Sequence, residues 1–413
     1  MDRGKRHRSR DDVPREAWTR LAACSAAGLV LQLDGTLVTV ALPSVAHELH
    51  VSVSSSAAVL TAYFGAYALL LLPGGMLVDR VGVRRVVVAG LGLFLAGAAA
   101  GALAGSLGVL IGARLVQGAG AGLVSPAALA GAVGGFPPGR RGVPLGIWGA
   151  TAGVANLIGP LLGGTLTYAF GWRADWWALV PLGVLAASAM IIHMPVSQGH
   201  DEPAGWHRAS SNRVLLAASF VAGVTFAVMI GSFYLIEQYL QDSAHYSALA
   251  ASTVLALVAL LVAVVAPAAG KLTDARGERL VAGLGLVLSG SGLALLGIPS
   301  IRLGSAISFG LLATLGVGLG MLFVPTSRAG LNSAPQSTHG RVSATLSLAR
   351  LLGAMLGASA GGLALSGRPS TSTTHEALLI AGAACILLGL PAAHRLGTPA
   401  RSLSDAVAAP RSG

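Results

Sequence analysis

Long apolar stretches separated by short polar segments make up most of this 413-residue chain. Each stretch is about 18 to 25 residues long, the length that an α-helix needs to cross ~30 Å of hydrocarbon. The stretches lack regular alternation of apolar and polar residues, which favours membrane-spanning helices over a β-barrel. We therefore predict twelve spans, at residues 20–43, 57–78, 86–106, 108–131, 144–168, 176–194, 214–240, 248–269, 279–299, 303–326, 342–366 and 377–394.

The composition supports a membrane-embedded chain, because 54% of the residues are hydrophobic and only 10% are charged. Soluble domains carry roughly 25% charged residues. A net charge of +11 also occurs in nucleic-acid-binding proteins, but here the basic residues lie mainly in loops between apolar stretches, so we expect no nucleic-acid partner. The two cysteines, Cys24 and Cys385, lie in apolar stretches and indicate neither a disulfide framework nor a metal site.

The distribution of Lys and Arg predicts the orientation of the chain in the membrane. Of 27 such residues, 22 lie in the tails or in loops on the side of the termini, three lie in loops on the opposite side and two lie within spans. Cytoplasmic loops carry this excess, so we predict that both termini are cytoplasmic. The first apolar stretch is long and contains Asp34, so we expect no cleavage as a secretory signal.

The domain organisation follows from one polar connection, residues 195–213, between two sets of six spans. We predict a cytoplasmic tail at 1–19, six-helix bundles at 20–194 and 214–394, a cytoplasmic linker at 195–213 and a cytoplasmic tail at 395–413. A weak repeat supports this division, since GGMLVDRVG (74–82) follows span two and GKLTDARG (270–277) follows span eight, with Asp79 and Asp274 at equivalent positions. Parallel repeats of six spans occur in one large class of secondary transporters.

The first repeat segment carries a resemblance to the major facilitator superfamily, because GMLVDRVGVRR (75–85) is similar to the family signature between spans two and three. The resemblance implies that Asp79 lies at a helix end and ion-pairs there, which latches one conformation. Val83 stands where the family has a basic residue, so the pairing arginine is left open. The motif positions are Gly75, Asp79, Arg80, Gly82 and Arg84.

Two further motifs lie inside spans. RLVQGAGA (114–121) in span four, with Arg114, Gln117 and Gly118, looks like the family motif whose intramembrane arginine is associated with proton transfer. Such a charge costs at least ~2.5–3.5 kcal/mol unless it is paired or hydrated, so we expect Arg114 to face a cavity and to have a partner. Span five contains a stretch that is similar to the antiporter motif of the family. Its motif positions are Gly159, Pro160, Gly163 and Gly164.

The fourth motif, LDGTLVTVALP (33–43) in span one, resembles the signature of drug:proton antiporters with fourteen spans, although Thr39 replaces the usual Asn and two central spans are missing. The likeness covers residues from about 20 to 395. It implies an all-α polytopic membrane protein with two six-helix bundles, which moves a substrate by alternating access.

Asp34 is an acid within span one, where ionisable residues are functional by default. Span one runs outward and span four inward, which places Asp34 and Arg114 in the same half of the membrane. Relative movement of the two would change the protonation of the carboxyl group. We therefore predict a proton-coupling pair, and the sequence leaves open whether the two side chains touch.

Polar side chains near or within other spans are candidates for the lining of a substrate cavity. Glu237 also fits an interfacial charge, and Arg350 in span eleven fits either a cavity lining or a side chain that snorkels to the surface. The candidates for the cavity are Gln32, Tyr63, Asn156, Tyr234, Glu237 and Gln238.

These features predict a proton-coupled efflux transporter that exports amphipathic drugs or antibiotics across a bacterial cell membrane. We find no nucleotide-binding glycine loop and no convincing serine-triad, zinc or kinase signature, so we expect neither an enzyme nor a cofactor. The expected partners are a small-molecule substrate, protons and the lipid bilayer, and the expected state is a monomer. The alternatives are an exporter dedicated to one endogenous metabolite and a non-transporting membrane sensor of the same fold.

Overall fold

The computed structural model describes residues 13–196, 212–365 and 371–396. Twelve helices in these ranges are long and apolar enough to cross a membrane, and the described residues include no β-strand, which confirms the predicted fold class. The helices are α1 Arg15–Glu48, α2 Ala58–Val81, α3 Val83–Ala102, α4 Leu107–Val133, α5 Gly142–Phe170, α6 Arg173–His193, α7 Arg213–Gln238, α8 Ala248–Arg276, α9 Glu278–Leu296, α10a Ala306–Gly320, α10b Phe323–Asn332, α11 His339–Leu365 and α12 Thr371–Ala393.

The helix ends follow from local chemistry. Ser106 begins α4 by accepting a hydrogen bond from the backbone N–H of Val109, which satisfies one of the N–H groups that a helix start leaves free. At the sharp turns α2–α3 and α8–α9, Gly82 and Gly277 have φ values of 90° and 83°. A residue with a Cβ atom is strained in that region, so the glycines of the two repeat segments permit these turns.

The helices form two bundles of six. One hydrophobic core consists of residues from α1 to α6 and adjoining loops, and a second consists mainly of residues from α7 to α12, joined by Leu129, Val133 and Leu145. Residues 197–211 of the predicted linker lie outside the described residues, as do 1–12 and 397–413 of the predicted tails. The cytoplasmic assignment of these segments stays a prediction.

The two bundles meet mainly along α2–α11 and α5–α8. We call the end of the molecule where α1 begins and α12 ends the terminal face, and the opposite end the far face. A Cβ atom at Gly75 would lie 2.5 Å from the carbonyl oxygen of Gly340, and one at Gly270 would meet the carbonyl oxygen of Gly142. These small residues let the backbones approach closely, so the structure is closed at the terminal face.

Candidate functional site

Asp34 and Arg114 touch in the interior of the first bundle. Asp34 lies in the middle third of α1, and Arg114 lies two turns into α4. Nη1 of Arg114 is 2.7 Å from Oδ1 and 2.8 Å from Oδ2 of Asp34, and neither side chain has solvent-exposed surface. The carboxylate and the guanidinium group therefore compensate each other's charge in a region where water does not reach them.

Neighbouring groups complete a polar cluster around this pair. Gln117, one turn along α4, donates to Oδ1 of Asp34 at 2.9 Å and accepts from Nη1 of Arg114 at 2.7 Å. Nε of Arg114 donates to the carbonyl oxygen of Val59 at 3.4 Å. Its guanidinium carbon lies 4.1 Å from the centre of the Tyr63 ring. Nη2 of Arg114 has no hydrogen-bond partner, so one donor of the cluster stays unsatisfied.

The pair is enclosed, whereas the sequence led us to expect a cavity-facing Arg114. Helix α2 covers it, because Gly118 of α4 lets the backbone of α2 approach so closely that an added Cβ atom would meet the carbonyl oxygen of Tyr63. Tyr63 is 3% exposed and packs on Arg114 instead of lining an open space. The glycine at this position therefore allows α2 to cover the two charges.

The other predicted cavity residues lie apart from this cluster. Gln32, Asn156 and Tyr234 are exposed, and Gln238 is half-buried. Oε1 of Glu237 lies 3.3 Å from the side-chain amide of Gln241 and 3.4 Å from the hydroxyl of Ser252. Within the described ranges, no hydrogen bond or ion pair joins these five predicted residues to Asp34 or Arg114. Their role as a cavity lining stays a prediction.

Asp79 joins the two bundles at the terminal face. Its carboxylate accepts hydrogen bonds from the backbone N–H groups of Gly340 at 2.8 Å and of Arg341 at 3.2 Å, which are at the start of α11. Nε of Arg341 lies 3.6 Å from the same carboxylate. The acid is 5% exposed. A carboxylate at a helix N-terminus is stabilised by the helix dipole as well as by the N–H groups.

Asp274 makes the equivalent contact between α8 and α5. It accepts a hydrogen bond from the backbone N–H of Gly142 at 2.9 Å, and Nε of Arg328 lies 3.6 Å away. Nη1 of Arg328 also donates to the carbonyl oxygen of Thr273 at 2.5 Å. The repeat in the sequence thus corresponds to one contact formed twice, in which an acid at the end of one helix caps the start of a helix in the other bundle.

Sequence reasoning missed the cationic partners of these acids. It considered the arginines next to Asp79, but the ion pair involves Arg341, which is 262 residues away. Arg80 is exposed and Arg84 is half-buried, and neither makes a hydrogen bond or an ion pair in the part of the chain that the structure describes. Only the position of Arg341 at the start of a span could have indicated its role.

The motif residues of α5 pack against α1. A Cβ atom at Gly159 would meet the hydroxyl of Thr36, and one at Gly163 would lie 3.2 Å from Leu37. At Gly164 the nearest neighbour would be Val40 at 3.9 Å, and Pro160 is exposed within the helix. These contacts place the predicted antiporter motif beside the helix that carries Asp34. The described residues contain no cluster of three or more side chains suited to a metal ion.

The chain matches one protein-family model and is similar in sequence to known transport proteins. The family model of the Major Facilitator Superfamily matches residues 24–358. The Tetracenomycin C resistance and export protein of Streptomyces glaucescens is 30% identical over 186 residues, which are 45% of this chain and 35% of that protein. The Riboflavin transporter RibZ of Clostridioides difficile is 24% identical over an alignment of 398 residues, which covers 83% of this chain and 87% of that protein.

The match spans only about a third of the length of four curated relatives. The matched shares of those four proteins are 33%, 35%, 37% and 34%. The crystal structure of the Escherichia coli Fucose:proton symporter FucP aligns with a TM-score of 0.72 at 15% identity, over 92% of this chain and 98% of that one, and this likeness shows the fold alone. The match of the family model to most of the chain, on a fold of twelve helices in two bundles, means that this protein belongs to the major facilitator superfamily of membrane transporters.

Proposed function

We propose that this protein is a proton-coupled antiporter that exports drugs or antibiotics by alternating access. The observation that carries the proposal is the carboxylate of Asp34, which is fully buried in the middle of a membrane helix and held by Arg114 and Gln117. Burial of an ionised acid inside a membrane protein costs free energy, and residues of this kind mark ion and proton pathways. The tetracenomycin C export protein among the relatives supports the substrate class.

The coupling step follows from the geometry of the pair. When a proton binds to Asp34, the ion pair with Arg114 is lost, and breaking a buried pair costs about 3–5 kcal/mol. The charge of Arg114 then has no anionic partner. A conformation in which water or another group reaches this charge is therefore favoured. The same proton, moving through ~150 mV, supplies about 3.5 kcal/mol. This free energy supports a gradient of a few hundredfold for a neutral substrate at one proton per molecule.

The direction of transport depends on the membrane orientation. We place the terminal face in the cytoplasm because 22 of 27 Lys and Arg residues lie on that side. The drug enters from that side, or from the inner leaflet, when the terminal face opens. Protons reach Asp34 from the far face. The protein acts as a monomer in the bacterial cell membrane.

The test begins with a susceptibility panel in a host that lacks its own pumps, which identifies an exported drug. Wild-type protein in proteoliposomes should then export that drug only under an imposed pH gradient. Asp34→Asn should abolish the export that the pH gradient drives, because the amide cannot exchange a proton. Glu16→Gln is the matched control, because Glu16 is an exposed acid on the same helix.

Efflux that ignores the pH gradient, or that Asp34→Asn leaves undiminished, contradicts the proposal. The riboflavin transporter among the relatives favours a second candidate, a carrier dedicated to one metabolite. That candidate predicts protection against one compound of the panel, or none, together with uptake or release of a metabolite. Binding of a ligand without any flux would indicate a sensor instead.

A further inference from the structure

A second arginine lies buried near the midpoint of a membrane helix, and it has no acidic partner among the residues that the structure describes. Arg350 is near the midpoint of α11 and is 5% exposed. Nη2 donates to the hydroxyl of Ser327 at 2.6 Å, whereas Nε has no hydrogen-bond partner. Within the described ranges no carboxylate lies within ion-pair distance of Arg350. Its environment therefore differs from that of Arg114, which pairs with Asp34.

Aromatic and hydroxyl side chains from both bundles surround this arginine. Its guanidinium carbon lies 4.2 Å from the centre of the Phe323 ring, and Phe323 stacks on Trp148 of α5 with centroids 5.5 Å apart. The indole N–H of Trp148 is buried and has no hydrogen-bond partner. Tyr67 belongs to α2, which packs on the helix of Arg350, and its hydroxyl donates to Ser125 at 3.0 Å. The group thus lies at the junction of the two bundles.

The neighbours of Arg350 do not compensate its charge. Buried charges in proteins are normally paired or bound to a counter-ion. A cation–π contact and one neutral hydrogen bond stabilise the guanidinium group. Among the described residues, however, no anion balances its positive charge, and its Nε–H has no acceptor. Guanidinium groups bind carboxylates through two parallel hydrogen bonds, and aromatic groups stack on one another as Phe323 and Trp148 do.

We propose that Arg350 binds the negatively charged group of the exported molecule, while Phe323 and Trp148 contact its aromatic part. This inference rests on the proposed export function and names its substrate class, an amphipathic aromatic anion. Because the residues belong to both bundles, the site opens to the terminal face when the bundles separate there, whereas Arg350 is buried in the conformation seen here. The occupant supplies the acceptor for Nε of Arg350.

The same residues connect this site with the proton-coupling pair. The ring of Tyr67 lies 6.1 Å from that of Tyr63 at an interplanar angle of 28°, and Tyr63 carries the guanidinium group of Arg114 on its face. Helix α2, which carries both tyrosines, packs on α4 and on α11, and so lies between the helices that carry Arg114 and Arg350. An anion at Arg350 changes the electrostatic field at the pair, which provides a physical route for coupling between substrate and proton.

The experiment compares two probes that differ only in charge, 1-pyrenebutyrate and 1-pyrenebutanamide. The full chain in nanodiscs is titrated with each, and energy transfer from tryptophan to pyrene reports binding. Wild-type protein should bind the carboxylate at least tenfold more tightly than the amide. Arg350→Gln should remove this preference by weakening carboxylate binding about tenfold, and Arg350→Lys should retain part of it. Arg85→Gln, at an exposed arginine, is the control.

Equal affinity of wild-type protein for the two probes overturns the inference, as does a preference that survives in Arg350→Gln. Unchanged binding of the amide shows that Arg350→Gln is folded. If the glutamine variant unfolds, the preference for the carboxylate is compared between Arg350→Lys and the wild type instead. The titration needs no pH gradient and no flux. If export turns out not to depend on protons while the charge preference depends on Arg350, the proposed coupling fails and the anion site stands.

Discussion

Neutralising Asp79 should open the terminal face. Asp79→Asn keeps the size of the side chain but removes the charge that caps α11, so the backbone N–H groups of Gly340 and Arg341 lose a carboxylate acceptor. The contact forms only when the bundles are closed at this end. Its loss therefore destabilises the closed conformation relative to the one that is open at the terminal face, and the closed population falls.

The magnitude follows from the two hydrogen bonds. A hydrogen bond to a charged group contributes about 1.5–3 kcal/mol and a neutral one about 0.5–1.5 kcal/mol. Asp79 is 5% exposed, so solvent screens its interactions little. At the lower ends of these ranges, replacing one charged bond by a neutral one and losing most of the second costs about 2 kcal/mol. At about 1.4 kcal/mol per decade, this shifts the ratio of closed to open protein roughly thirtyfold.

Asp274→Asn should act in the same way through Gly142, because it caps the start of α5. The two acids lie at separate helix pairs, so their effects should add. Asp274 is half-buried and accepts one such hydrogen bond, so its replacement costs about 1 kcal/mol. The double variant then loses about 3 kcal/mol of closure, and its closed population falls roughly a hundredfold relative to the open one.

Electron–electron double resonance measures these populations directly. Spin labels attached through Arg85→Cys and Arg276→Cys report the distance between the bundles, because both positions are exposed and belong to different bundles. The native cysteines, Cys24 and Cys385, are buried and are replaced by serine to prevent background labelling. Asp79→Asn should move a large part of the distance distribution to longer values.

An unchanged distance distribution in the double variant would refute the reasoning, because it would mean that the two caps do not hold the terminal face closed. Arg80→Gln is the control for charge changes in the same motif. Arg80 is exposed and makes no hydrogen bond or ion pair within the described part of the chain, so this variant should leave the distribution as in the wild type.

Two further predictions concern packing and stability. Gly270→Ala should also favour the open terminal face in the same distance measurement, because the added Cβ meets the carbonyl oxygen of Gly142. The control is Gly112→Ala, which should have no effect because no atom lies within 4 Å of the added Cβ. Arg114→Gln should lower the free energy of unfolding in nanodiscs by about 3–5 kcal/mol, since it leaves Asp34 buried without its cation. Adding Asp34→Asn should restore part of this loss, and a strictly additive double variant would count against the ion pair.

Much of this architecture can be read from the sequence. The length and apolarity of the stretches predict twelve helices long enough to cross the membrane, since a helix of this length satisfies its own backbone hydrogen bonds in hydrocarbon. Likewise, Asp34 and Arg114 stand out because charges within apolar stretches are costly. The repeat around Asp79 and Asp274 also indicates two equivalent halves before any contact is known.

Which residues of different helices contact one another could be determined only from the tertiary structure. Lipid is as apolar as a protein core, so the apolar pattern of a span does not tell which face turns inward. For this reason the sequence left Tyr63 as a cavity residue, whereas packing at Gly118 buries it on Arg114. It also could not select Arg341 as the partner of Asp79, nor show that Arg350 has no acidic partner in the described part of the chain, because both facts depend on how distant helices rotate and meet.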